Sequence, residues 1–264
     1  MSAGGWLAAG MSRVLILGGT TEARGLAERL AKRADLEVVL SLAGRTVSPA
    51  PLPVLVRRGG FGGGTGLAHY LIEQRIDAMV DATHPYARIM SVNAAAAART
   101  SGIAFVALRR PPWLSVSGDR WDEAADASEA VRILGERPRR VFVALGRNGL
   151  APFVTAPQHY YLIRSVDPVD PPLPLPHAAY VRGRGPFSEA DDRALLLDYA
   201  IDIVIAKNSG GAASYGKIVA ARALGIPVIM LRRPPVPAAP AVETVDDAIV
   251  WLDHALTSAA ARGV

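Results

Sequence analysis

An apolar run that ends in two glycines and two threonines constrains the fold of this chain more than any other feature. Val14–Leu17 is typical of a buried parallel strand, and the residues after Thr21 return to apolar character at helical spacing. Backbone N–H groups and the helix dipole at such a turn hold an anion, most often a phosphate. The pattern therefore predicts a nucleotide site, formed by Gly18, Gly19, Thr20, Thr21 and Glu22.

This turn matches the dinucleotide fingerprint G-x-G-x-x-G only in part. Read from Gly18, glycine is missing at Thr20, and Ala23 supplies a small residue. The threonine hydroxyls can cap the helix or bind a phosphate themselves. A plain strand–helix turn without a ligand is the alternative interpretation.

Short apolar runs alternate with helical patterns along the whole chain, which predicts α/β domains with parallel sheets. The predicted strands are Val14–Leu17, Val38–Leu42, Val54–Val56, Ala78–Val80, Ala104–Leu108, Val141–Leu145, Tyr160–Ile163, Ile203–Ala206 and Val228–Leu231. The break at Arg110-Pro111-Pro112 predicts two Rossmann-like domains with an interdomain cleft, over residues 12–112 and 113–264. Residues 1–11 are expected to be a disordered extension.

Composition excludes several kinds of site. The chain has no cysteine, so thiol catalysis, disulfides and cysteine zinc sites are ruled out, and a cytoplasmic location is expected. No apolar run reaches the roughly 18 residues of a membrane span. The five histidines are scattered, so no metal is expected. The net charge of +5 comes from dispersed arginines, which favours an anionic small molecule over nucleic acid.

The loop after the second predicted strand bears on coenzyme choice. Rossmann proteins that select NAD place an acid about 20 residues past the glycine turn, where it binds the ribose 2′-hydroxyl. The segment from Leu40 to Thr46 has no acid but carries Ser41 and Arg45. These side chains suit a 2′-phosphate, which favours NADP, although Arg45 could equally be a surface residue.

Four further turns carry candidate chemistry. The run from Gly59 to Gly66 has six glycines in eight residues, which indicates a close approach to a ligand or a flexible loop. His84, in Asp81-Ala82-Thr83-His84-Pro85-Tyr86-Ala87, could donate a proton or cap the next helix. Gly146-Arg147-Asn148-Gly149 and Lys207-Asn208-Ser209-Gly210-Gly211 follow strands and could bind an anion.

Five of these segments occur in an order that resembles the precorrin-6A reductase family of cobalamin biosynthesis. They are Leu-Gly-Gly-Thr-Thr-Glu-Ala at 17–23, Leu-Ala-Gly-Arg at 42–45, Gly-Gly-Phe-Gly-Gly at 59–63, Asp-Ala-Thr-His-Pro-Tyr-Ala at 81–87 and Lys-Asn-Ser-Gly-Gly at 207–211. The resemblance implies NADPH-dependent reduction of one double bond of the precorrin-6A macrocycle, giving precorrin-6B. It also implies two Rossmann-like domains and an anionic tetrapyrrole substrate.

The site residues are assigned on that basis. The expected coenzyme residues are Gly18, Gly19, Thr20, Thr21, Glu22, Ser41, Arg45 and Thr83. The expected catalytic residues are His84, Tyr86 and Lys207. The expected substrate-binding residues are Gly62, Gly63, Arg147, Asn148, Asn208, Ser209 and Gly210. A non-catalytic NADP-binding regulator, or a reductase of another polycarboxylate, would use the same turns. A monomer or small homo-oligomer without nucleic-acid or membrane partners is expected.

Overall fold

The chain was analysed as a computed structural model that describes residues 11–43 and 52–262. The strands are β1 (Ser12–Leu17), β2 (Leu36–Leu42), β3 (Leu55–Arg58), β4 (Ala78–Asp81), β5 (Ala104–Leu108), β6 (Trp121–Ala124), β7 (Arg140–Ala144), β8 (Tyr160–Ser165), β9 (Ala178–Arg182), β10 (Ile203–Lys207), β11 (Val228–Leu231) and β12 (Ala241–Val242). The helices are α1 (Thr21–Leu30), α2 (Gly63–Glu73), α3 (Arg88–Ser101), α4 (Ala127–Leu134), α5 (Glu189–Asp198), α6 (Gly216–Ala223) and α7 (Val245–Arg262), with a short 3-10 helix at Ala151–Thr155.

The strands form two six-stranded sheets in which every described pairing is parallel. Their orders are β12-β5-β4-β1-β2-β3 and β6-β11-β10-β7-β8-β9. In the first sheet the chain runs outward from β1 to β3 and then returns to β4 on the other side of β1. In the second sheet β7 to β11 repeat this order, and β6, which precedes them in the chain, lies at the edge beside β11. This topology confirms the predicted α/β class with Rossmann-like parallel sheets.

Two compact units contain these sheets, and their boundaries differ from the predicted ones. The first unit comprises residues up to Arg110 together with Pro235 onward, and the second comprises Pro111–Pro234. Residues 235–264 were predicted to belong to the C-terminal domain with 113–234. They lie in the first unit because β12 pairs with β5 and α7 packs on α1.

Alternating side chains of each central strand fill two cores. In the first unit, Val14 and Ile16 pack with residues of α1 and α7, whereas Leu15 and Leu17 pack with residues of α2 and α3. In the second unit, Phe142 packs toward α5 and α6. Burial on both faces explains why the central strands read as continuous apolar runs. It also leaves only the strand ends available for polar chemistry.

Candidate active site

The first unit changes winding direction between β1 and β4, and the side chain of Thr20 bridges the segments that follow these two strands. Thr20 Oγ1 donates to the carbonyl of Ala82, at 2.9 Å, and accepts from the amide of Ala23 at the start of α1, at 3.1 Å. Gly18 packs closely on β2, because a Cβ there would lie 2.7 Å from Leu40 Cδ1 and would require that side chain to move. The carboxyl ends of strands at such a switch point are where open α/β sheets bind ligands.

The start of α1 presents amide donors beside an ion pair. The N–H groups of Gly19, Thr20, Thr21 and Glu22 make no hydrogen bond within the described part of the chain. Glu22 Oε2 accepts from Arg110 Nη1 at 2.6 Å, and both side chains are mostly buried. Arg110 thus offsets the negative charge that Glu22 brings to a turn suited to an anion. This geometry fits a pyrophosphate.

The predicted 2′-phosphate residues are not placed alike. Ser41 is 5% exposed, because it lies inside the sheet between Leu17 and Arg57 in the strand register. Its hydroxyl therefore offers no surface to a phosphate in this geometry. Arg45 lies outside the described residues. The exposed side chain of Arg58, at the end of β3 and in register with Leu42, adds a cation that sequence reasoning missed.

The glycine-rich turn before α2 is held in place. Arg57 donates to the carbonyls of Gly59 and Gly60, at 2.7 and 2.8 Å, and its guanidinium stacks 3.8 Å from the Phe61 ring centre. A Cβ on Gly66 would lie 1.8 Å from the Phe61 carbonyl oxygen, so only glycine fits there. The turn is therefore built around close backbone approach, and Gly62 and Gly63 both have positive φ at the start of α2.

The turn after β4 ties its polar side chains together. Thr83 donates to Asp81 Oδ1 through its hydroxyl, at 2.7 Å, and through its amide, at 3.1 Å. The amide of Tyr86 donates to His84 Nδ1 at 3.3 Å, and the two rings lie 5.7 Å apart. The suggestion that His84 caps the next helix is wrong, because α3 begins at Arg88 and its N-cap is Ala87. The buried carboxylate of Asp81 was not assigned a role from the sequence.

A lysine crosses the corresponding switch point of the second unit, between β7 and β10. Lys207 Nζ donates to the carbonyl of Leu145 at 2.7 Å. The neighbouring turn exposes Arg147 and Asn148 between two glycines of positive φ. Lys207, Arg147 and Asn148 were all predicted as site residues, and the structure brings them to the same edge of this sheet.

Asn208, predicted to bind substrate, directs its side chain into the protein. Its Oδ1 accepts from the amide of Trp113 at 2.8 Å, and its Nδ2 donates to the Trp113 carbonyl at 2.9 Å. Ser209 is largely buried, and Gly210 and Gly211 both have positive φ. Nothing in the sequence indicates that Trp113 binds Asn208, because the two residues are 95 positions apart.

Within residues 11–43 and 52–262, no group of three or more histidine, aspartate or glutamate side chains is placed to hold a metal ion. No helix over the described residues has the length and apolar character needed to cross a membrane.

Comparison with known proteins decides the family. The family model described as Precorrin-6x reductase CbiJ/CobK matches residues 13–253. The chain belongs to the precorrin-6x reductase family. The Precorrin-6A reductase of Sinorhizobium sp is 53% identical over 247 residues, covering 94% of this chain and 95% of that relative. The Precorrin-6A reductase of Rhodobacter capsulatus is 48% identical and covers 96% of this chain and all of that relative.

A solved structure agrees with this family membership. The structure titled CobK precorrin-6A reductase aligns with a TM-score of 0.90 and 47% identity, covering 93% of this chain and 97% of that one. The resemblance drawn from five motifs is thereby confirmed, and this family member is a reductase. A nicotinamide coenzyme is the hydride donor such a reductase needs, and the amide donors at the start of α1 fit its phosphates.

Proposed function

We propose that the chain catalyses NADPH-dependent reduction of one double bond of precorrin-6A, giving precorrin-6B in cobalamin biosynthesis. Family membership supports the reaction. The observation that carries the proposal is that, in each unit, a strand end at the switch point leads into a turn that presents amide donors. The amides of Gly19 to Glu22 and of Gly210 to Ala213 make no hydrogen bond within the described residues. One sheet edge can hold coenzyme phosphates, and the other can hold carboxylates of the macrocycle.

In the first unit we assign the coenzyme to the turn from Gly18 to Glu22. The amides there face the pyrophosphate, Thr20 fixes the turn on Ala82, and Thr83 lies on the neighbouring strand end. The choice of NADPH over NADH rests on the missing acid after β2 and on two cations, Arg45 and Arg58. When bound, NADPH supplies the hydride.

The reaction also needs a proton on the carbon next to the one that receives the hydride. His84, Tyr86 and Lys207 are the candidate donors. Because His84 Nδ1 accepts from the Tyr86 amide, Nε2 is the ring nitrogen that would face the substrate in this proposal. Lys207 is one of only three lysines and ends the strand at the substrate turn. Gly62, Gly63, Arg147, Asn148, Ser209 and Gly210 are assigned to the macrocycle.

The test is the loss of NADPH absorbance when precorrin-6A is added, beside NADPH titrations without the macrocycle. Oxidation that requires the macrocycle supports a reductase of this substrate. NADPH binding without oxidation would favour the second candidate, a non-catalytic regulator that uses the same turns. The cobalt-containing macrocycle and unrelated polycarboxylates serve as comparison substrates.

Affinity for the macrocycle should fall as salt is added if cations hold its carboxylates, because charge pairs at the surface are screened beyond about 10 Å at 0.1 M. A binding constant that stays flat from low to high salt would instead point to stacking and apolar contacts. We also propose a cytoplasmic location and a monomer or small homo-oligomer, which cell fractionation and light scattering would check.

A further inference from the structure

One aromatic residue, Trp113, contacts the turn between β10 and α6 at several places. Besides its two backbone bonds with the Asn208 side chain, Trp113 donates from its indole Nε1 to the carbonyl of Gly211, at 2.9 Å. The Trp113 ring also lies 5.3 Å from the ring of Tyr215, at the far end of the turn. Trp113 therefore contacts the beginning, the middle and the end of this segment.

Two basic side chains donate hydrogen bonds to other carbonyl groups of the same turn. Arg233 donates from Nε to the Asn208 carbonyl, at 2.9 Å, and from Nη2 to the Ser209 carbonyl, at 3.2 Å. The buried Nζ of Lys217 donates to the Ser214 carbonyl and lies 5.1 Å from the Trp113 ring centre. The negative ends of these peptide dipoles are thus turned toward the protein.

The amide side of the turn has no such partners. Within the described residues, the N–H groups of Gly210, Gly211, Ala212 and Ala213 make no hydrogen bond to the chain, and Gly210 is buried. Backbone amides in folded proteins are nearly always paired, so these N–H groups are available to an acceptor from outside the chain. Successive amides around residues in the left-handed region form a concavity that suits an anion.

We propose that Trp113 and Asn208 are positioning residues for substrate binding. They keep the carbonyls of this turn directed toward the protein, so that its amides face a carboxylate of the macrocycle. This inference rests on the proposed function, in which the same turn binds the substrate. It also changes the role of Asn208, from a substrate contact to a residue that acts through the turn. A carbonyl released from its partner could rotate toward the anion and repel it.

A pair of matched substitutions tests the proposal. Trp113→Phe keeps an aromatic ring but removes the donor to Gly211. Trp121→Phe is the control, because the Trp121 indole N–H is buried without a hydrogen-bond partner in the described chain. One hydrogen bond is worth roughly a 2- to 13-fold change in an equilibrium constant. We expect Trp113→Phe to raise the KM for precorrin-6A about 3- to 10-fold, with kcat and the NADPH Kd near wild type.

The measurements are KM and kcat for precorrin-6A, the NADPH Kd, the thermal unfolding midpoint, and quenching of protein fluorescence by the macrocycle without NADPH. An unchanged KM in Trp113→Phe, or the same KM change in both variants, overturns the proposal. So does a parallel loss of NADPH binding and thermal stability in Trp113→Phe, since that result describes a general packing defect.

Asn208→Ala provides a second variant if Trp113→Phe does not fold. It should raise the KM for the macrocycle and spare the NADPH Kd, and a wild-type KM would reject the positioning role. Failure of the proposed function gives a different result. In that case the wild-type chain neither reduces precorrin-6A nor shows quenching on its addition.

Discussion

The two units share the order of five strands, β1 to β5 and β7 to β11, but cross their switch points with different chemistry. In the first unit the crossing group is the neutral hydroxyl of Thr20, bound to the Ala82 carbonyl. In the second it is the ammonium of Lys207, bound to the Leu145 carbonyl. A hydroxyl can cap a helix and position a turn, whereas an ammonium adds charge and a transferable proton. In the proposed assignment, the repeated scaffold determines where a ligand binds, and the crossing residue helps determine which ligand it is.

Charge is also distributed differently around the two turns. In the first unit, Glu22 lies at the start of α1 and is held by Arg110. In the second, carbonyls of the β10 turn accept from Arg233 and Lys217. In the first unit, Arg110 neutralises the Glu22 carboxylate next to the proposed anion site. The second supplies cations that orient the backbone, and it suits a substrate with many carboxylates.

The largest effects should come from replacing Lys207 and Thr20 with apolar residues of similar size. Lys207→Met should lower kcat/KM for the macrocycle by about 10² or more if the lysine acts as a general acid, and NADPH binding should survive. Thr20→Val should instead weaken NADPH by up to about tenfold, through the lost cap. Steady-state kinetics and NADPH titration separate these results. If Lys207→Met abolishes NADPH binding and spares macrocycle binding, the ligands of the two units are reversed.

A second prediction concerns the proton. His84→Ala should lower turnover by about 10²-fold or more if the imidazole is the general acid, with Tyr86→Phe as the companion variant. The measurement is single-turnover NADPH oxidation with saturating macrocycle. A loss below about tenfold would reduce His84 to a positioning role and leave Lys207 or water as the donor.

Sequence patterns predicted nine of the twelve described strands, because strands buried on both faces read as apolar runs. They missed three edge strands for physical reasons. Trp121–Ala124 is acidic and faces solvent, Ala178–Arg182 has only one packed face, and Ala241–Val242 is two residues long. The candidate site turns could be proposed from the sequence because glycine and hydroxyl residues directly follow buried strands. The partners of those turns, such as Trp113 and Arg110, are distant in sequence and could not be found that way.

A third prediction sharpens the assignment of the coenzyme to the first unit. Arg45→Ala should weaken NADPH by about 10- to 150-fold, the value of a charge-assisted hydrogen bond of about 1.5–3 kcal/mol, and leave NADH nearly unchanged. Arg58→Ala tests the second cation in the same way. Titration of each variant with both coenzymes is the measurement, and an equal loss for NADPH and NADH would argue against a 2′-phosphate contact.

The last prediction concerns stability, where the second unit has two buried bases. Burial lowers the pKa of His159, which is 0% exposed, and burial together with the charge of Arg164 lowers the pKa of Lys217 to about 7. The stability linked to His159 is present above its unfolded pKa of about 6.5 and is lost as the pH falls. For Lys217, stability should rise with pH above about 7.

Denaturant unfolding followed across pH would check both windows. His159→Gln should flatten the acidic window, and Lys217→Met should flatten the alkaline one. Retention of both slopes in the double variant would assign the pH dependence to other groups.

The return of residues 235–262 to the first unit has a consequence for synthesis on the ribosome. All strands of the second sheet are available once Leu231 has emerged, but the first sheet still lacks β12, and its core still lacks Ala248 and Leu252 of α7. The first unit, although translated first, is thus completed last. A chain truncated after Pro234 should therefore retain the second unit and expose apolar surface on the first. Until residues 235–262 have been synthesised and have packed, that exposed surface favours aggregation during translation.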